Sequence, residues 1–137
     1  MKYLLDTNIL HTSLINKNLK RGEFFVIQDV VDEWVNSSER ISRIRSAGIG
    51  ILEIGKKHLG KLSEVLTTHG SNFDLIRLYT GEGTADVMML AYILAEKEKP
   101  DTLFEEEFTL VTNDKPLIKA AEGYGIKCMS SGGVAKL

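Results

Sequence analysis

Short apolar runs that alternate with segments of helical spacing constrain this chain more than any other feature. "YLL" stops at Asp6, "FFVI" is soon followed by Asp29, "FTLV" stops at the polar run Thr112-Asn113-Asp114-Lys115, and "IKCM" follows near the carboxyl end. Between these runs the apolar positions recur at helical intervals. Ile9, Leu10, Leu14 and Ile15 follow the first run beside the caps Thr7 and Asn8, and Val30, Val31, Trp34, Val35, Ile41 and Ile44 form one helix face after the second, with Asp29 as its N-cap. In the middle, Ile51, Leu52, Leu59, Leu62, Val65 and Leu66 read as one or two helices, and "NFDLIRLYTGEG" reads as either a short helix or a strand. "TADVMMLAYILAEKEK" is apolar along most of its length and predicts a buried helix, while "KPLIKAAEGYG" predicts a short one closed by Gly123 or Gly125. Strands alternating with helices predict an α/β fold of three layers, helices on both faces of a central parallel sheet of four to five strands. With 43% hydrophobic residues, residues 1–137 are expected to form one domain.

Charge narrows the function classes. Lys and Arg number 17 against 19 Asp and Glu, a net charge of -2, so there is no general basic field to attract a nucleic acid over long range. A polyanionic partner would need its charge neutralised locally by something else. The one cysteine, Cys128, cannot form an internal disulfide, and its apolar context predicts a buried thiol in a reducing compartment. An acid at position 6 interrupts any signal-like apolar core, and no stretch reaches the ~18 apolar residues of a membrane span. A soluble, cytoplasmic protein with no membrane partner is the expectation.

In an open parallel sheet, functional groups gather outside the carboxyl ends of the strands. Asp6 and Asp114 both occupy such ends, so if their strands are neighbours the two carboxylates face one cleft. Asn8 and Asn113 add amide groups at the same rim. Glu33 lies about a turn into the helix that leaves the second strand, near the same face. Asp86 stands in the first turns of an apolar helix, four residues after Glu82, with no Lys or Arg three or four residues to either side. A charge in such a helix is expensive unless it is paired or binds a cation. Carboxylates converging from distant segments repel one another, and a hard divalent ion removes that repulsion. Oxygen ligands select Mg²⁺ or Mn²⁺ over zinc, and His11, His58 and His69 show no ligand spacing. Such a site activates water and neutralises a phosphodiester, so a basic surface becomes optional.

Each residue also has a plainer role. Asp6 alone is an N-cap, Asp114 a turn residue, Glu33 a solvated helix residue, and Glu82 a first-turn charge facing the helix dipole. Arg40, Arg43, Arg45, Lys56, Lys57 and Lys61 read as a solvated helix face rather than a phosphate-positioning patch. Trp34, Tyr92, Met88 and Met89 fit packing better than ligand contact. Asp86 is the residue a plain role explains least well.

"YLLDTNIL", "VVDEW", "GTADVMMLAYILA" and "LVTNDKPLIKAA…GI" resemble, in order and spacing and over essentially the whole chain, the PIN-domain ribonucleases. The resemblance implies a metal site of Asp6, Glu33, Asp86 and Asp114, supported by Asn8 and Asn113, that holds Mg²⁺ or Mn²⁺ and cuts RNA. In that family many single-domain members of this length are toxins held inactive by a small antitoxin and built as homodimers, which the resemblance extends to this chain as an expectation. The extra acid in "GEGTAD" leaves Glu82 and Asp86 as alternatives for the helix ligand, and the apolar residues after Asp86 favour that position. Two rival functions stand beside this one. A haloacid-dehalogenase-like phosphatase also uses an Asp after the first strand, but its acid–base chemistry needs an acid two residues later, where this chain has Asn8. A non-catalytic PIN-like module would bind RNA or protein without turnover, and the retained acids count against it.

Overall fold

The computed structural model describes residues 2–10, 24–34, 38–68, 84–98 and 107–135, apart from the side chains of 33, 34, 38, 39, 68, 84 and 135. Five strands form one sheet: β1 (Lys2–Leu5), β2 (Phe24–Ile27), β3 (Gly50–Leu52), β4 (Phe108–Val111) and β5 (Cys128–Met129). Their order is β3-β2-β1-β4-β5 and every pairing is parallel. Helices flank the sheet: α1 (Thr7–Leu10), α2 (Gln28–Trp34), α3 (Ser38–Ser46), α4 (Lys56–Thr68), α5 (Thr84–Lys97), α6 (Lys115–Gly123) and α7 (Ser131–Ala135). This is the α/β architecture expected from the alternation, and its five parallel strands fall within the expected four to five.

Burial follows position in the sheet. β1 is central and β4 is its neighbour, so both faces of each are covered and Tyr3, Leu4, Leu5 and all four residues of β4 are buried. That is why these runs read as continuously apolar instead of alternating. β3, at one edge, buries none of its residues fully. Helix α5 packs chiefly on α4 and on α2. Val87, Met89, Leu90, Ala91 and Ile93 are wholly buried, which explains why this helix lacks a polar stripe.

Three local expectations need correction. Ile51 and Leu52 belong to strand β3, not to a helix; α4 begins only at Lys56, after Gly55. A three-residue strand is too short to display a period, and Gly50 brings its backbone close to the Phe25 ring, where a Cβ would lie 2.8 Å from Cδ1. Asp29 lies inside the first turn of α2, not at its N-cap, because β2 passes into the helix at Gln28. The segment after β2, taken as one helix face, forms α2 and α3, with 35–37 outside the described residues. Helix α7 is an addition that the sequence pattern did not suggest.

Tyr92 is a core residue, as expected, and stacks on buried His58 at a centroid distance of 4.2 Å. Cys128 is half-buried, so its thiol is more accessible than expected, although burial and then the charge of Glu122 push its pKa up. Trp34's side chain, His11, His69 and "NFDLIRLYTGEG" lie outside the described residues. Among the described residues no helix is long and apolar enough to cross a membrane.

Candidate active site

The order of the sheet reverses at β1, whose neighbours are β2 on one side and β4 on the other. The β1–β4 register ends with Leu5 opposite Val111, and the ladder continues for one bond beyond it, from Asp6 N–H to Val111 C=O at 3.0 Å. Asp6 and Thr112 are therefore neighbours at the switch point, where open α/β sheets form their crevice.

Asp6 is 2% exposed, and both its carboxylate oxygens are engaged. Thr112 Oγ1 donates to Oδ2 at 2.8 Å, and the Thr7 N–H donates to Oδ1 at 2.7 Å. Thr112 Oγ1 also accepts from the Asp114 N–H at 3.0 Å, so a single hydroxyl joins the two acid-bearing strand ends. Asp114 is the N-cap of α6: its Oδ1 accepts from the Leu117 N–H at 3.4 Å. The plainer roles therefore hold beside the functional one, since Asp6 caps the start of α1 while Asp114 caps α6.

The ionisation of Asp6 shows what surrounds it. Burial raises its pKa above the ordinary 3.8, the hydrogen bonds from Thr112 and Thr7 oppose that rise, the charge of Asp114 adds to it, and a hydrogen bond from the Asp86 carboxyl opposes it. Asp114 after β4 and Asp86 on α5 thus both act on Asp6 at the end of β1. Asp86 lies partly exposed in the first turn of α5.

The other expected site residues are not part of this cluster among the described residues. Glu33 lies on α2 with its side chain outside the described residues, as is the whole of Glu82. Asn8 is exposed on α1. Asn113 does not brace a carboxylate; its carboxamide bonds to Ser131 on α7. Thr112 is the residue that sequence reasoning missed. Its signal was a β-branched polar residue closing an apolar strand directly before an acid, which an ordinary turn explains equally well.

The chemistry of the donor set fits a hard cation: among the described residues the converging groups are carboxylates and a hydroxyl, with no imidazole or thiol. Among the described residues no three or more Asp, Glu, His or Cys side chains stand in metal-binding geometry, so the acid pair with Asp114 beside it is not a finished cage. Part of the expected basic patch is already committed. Lys57 pairs with Glu96 at 2.8 Å, tying α4 to α5, and Lys61 pairs with Glu98, just past α5, and with Glu64; the side chains of Arg43 and Arg45 on α3 are exposed.

No family model and no curated protein matches the sequence. The fold does have a solved counterpart, the crystal structure of VapBC2 from Rickettsia felis bound to a DNA fragment from their promoter. That likeness has a TM-score of 0.59 at 19% identity and covers 95% of this chain and 98% of the other. At that identity the likeness is one of architecture: the fold is PIN-like.

Proposed function

We propose that this protein is a Mg²⁺- or Mn²⁺-dependent endoribonuclease that hydrolyses RNA phosphodiester bonds, and that it is the toxin of a toxin–antitoxin pair. The observation that carries the reading is buried Asp6, joined through the Thr112 hydroxyl to the strand end that carries Asp114, with Asp86 acting on its ionisation from α5; acids gathered in this way are costly unless a cation or a proton is shared among them. The PIN-like fold and the motifs "LLDTN" and "TNDKP" support nuclease chemistry, and the likeness to VapBC2, solved on promoter DNA, supports an antitoxin partner. The motif resemblance to PIN-domain ribonucleases supports a homodimer, and the single cysteine supports a reducing, cytoplasmic location.

Asp6, Asp86 and Asp114 would hold the cation, with Glu33 as the fourth acid. The cation would supply charge neutralisation at the phosphodiester and a more acidic attacking water. The chain's own part is orientation. Thr112 fixes one oxygen of Asp6 and Thr7 the other, so that carboxylate enters the reaction with its rotamer already set. The buried, β1-anchored position of Asp6 keeps it out of bulk water, which strengthens its pull on a cation. Asp114 is held by the strand end on one side and the cap of α6 on the other.

The test is cleavage of a synthetic RNA with Mn²⁺ or Mg²⁺. The native chain should cut and leave 5′-phosphate ends, and Asp6→Asn or Asp86→Asn should lower the rate at least ~100-fold, the scale expected when a group that stabilises the transition state is lost. A chelator should abolish cutting. Cleavage that survives the chelator, or products ending in a cyclic phosphate, would sink the metal-assisted reading.

A further inference from the structure

The strand end that carries Asp114 is fastened to the C-terminal helix by two reciprocal hydrogen bonds. Asn113 Nδ2 donates to Ser131 Oγ at 3.0 Å, and the Ser131 N–H donates to Asn113 Oδ1 at 3.0 Å. Both polar ends of one carboxamide are spent on one residue, which fixes its rotation as a single bond would not. Helix α7 is anchored in its turn. Val134 is buried, and Gly133 lies so close to Met129 that a Cβ there would meet Met129 Cγ at 2.6 Å. On the other side of Asn113, the Thr112 N–H donates to Met129 C=O at 3.0 Å. The three residues 112–114 are thus bonded to β5, to α7 and, through Thr112, to Asp6.

We propose that Ser131 is a positioning residue: acting through Asn113, it holds the Asp114 strand end in register with Asp6, so that cation affinity at the acid site depends on the docking of α7. The inference rests on the cation-site reading above. Asp114 caps α6 through a long 3.4 Å bond, its N–H is tied to Asp6 through Thr112, and its carboxylate can turn toward a cation only if the backbone beneath it stays in place. The clasp supplies that fixed point. It lies one residue from Asp114 and touches no acid itself.

The experiment uses the full chain and Mn²⁺ alone, with binding read from the electron paramagnetic resonance of free Mn²⁺ and folding from melting in chelator. Ser131→Ala should weaken Mn²⁺ binding roughly three- to tenfold, the scale of one or two lost hydrogen bonds, and Ser131→Thr should restore it. Asn113→Ala removes the same clasp from its other half and should weaken binding by a similar factor, with the double variant no weaker than either single one. A clasp that merely stabilises α7 would lower the melting temperature and leave Mn²⁺ affinity unchanged. That result, or failure of Ser131→Thr to restore binding, overturns the proposal while the cation site stands. A native chain that takes up no Mn²⁺ removes both.

Discussion

Thr112 is buried, and its single hydroxyl proton is committed to Asp6 while its oxygen accepts from Asp114. Replacing it with isosteric valine keeps the shape and removes both bonds, leaving a buried carboxylate oxygen short of a donor. Thr112→Val should therefore destabilise the chelator-treated protein by about 1–3 kcal/mol in denaturant titrations, and Thr112→Ser should recover most of that loss. A valine variant as stable as the native chain would mean that the hydroxyl is not carrying the link. The acids themselves were legible in the sequence because each interrupts an apolar run or an apolar helix. Thr112 was not, because a threonine at a strand end is ordinary and only the β1–β4 register gives it a partner 106 residues away.

Elements were legible where a pattern marked them. β1, β2, β4, β5, α5 and α6 follow from apolar runs or helical spacing, whereas β3, of three residues, is too short to carry a period. What ends α6 is likewise local. Tyr124 N–H bonds to Ala121 C=O at 3.0 Å and Ile126 N–H to the same carbonyl at 2.9 Å, while Gly125 between them adopts φ 73°. A Cβ on Gly125 would meet no atom within 4 Å, so substitution costs only backbone strain. Gly125→Ala should thus lower stability by about 1–2 kcal/mol, whereas Gly123→Ala, inside the helix and equally unobstructed, should be neutral or slightly stabilising. Equal effects in thermal unfolding would remove the left-handed turn as the cause.

For the molecule as a whole, the acid site sets a pH dependence whose sign is fixed by the direction of the shift. The folded pKa of Asp6 lies above the ordinary 3.8, so the folded state holds this proton more tightly than the unfolded one does. Its contribution to stability is present below about 3.8 and is lost as pH rises through the raised folded value. In chelator, native and Asp6→Asn chains should accordingly diverge as pH increases, with the asparagine variant becoming relatively more stable toward neutrality. Mn²⁺ should reverse that order by binding the native chain only. Parallel pH profiles would show that Asp6 is not held against its charge.

The same architecture also has a temporal consequence. Asp6 is made 106 residues before its hydroxyl partner Thr112, which with Asp114 follows β4, and the clasp that fastens that strand end is completed only at Ser131. A growing polypeptide therefore carries an isolated acid and no completed centre until the segment through Ser131 has left the ribosome.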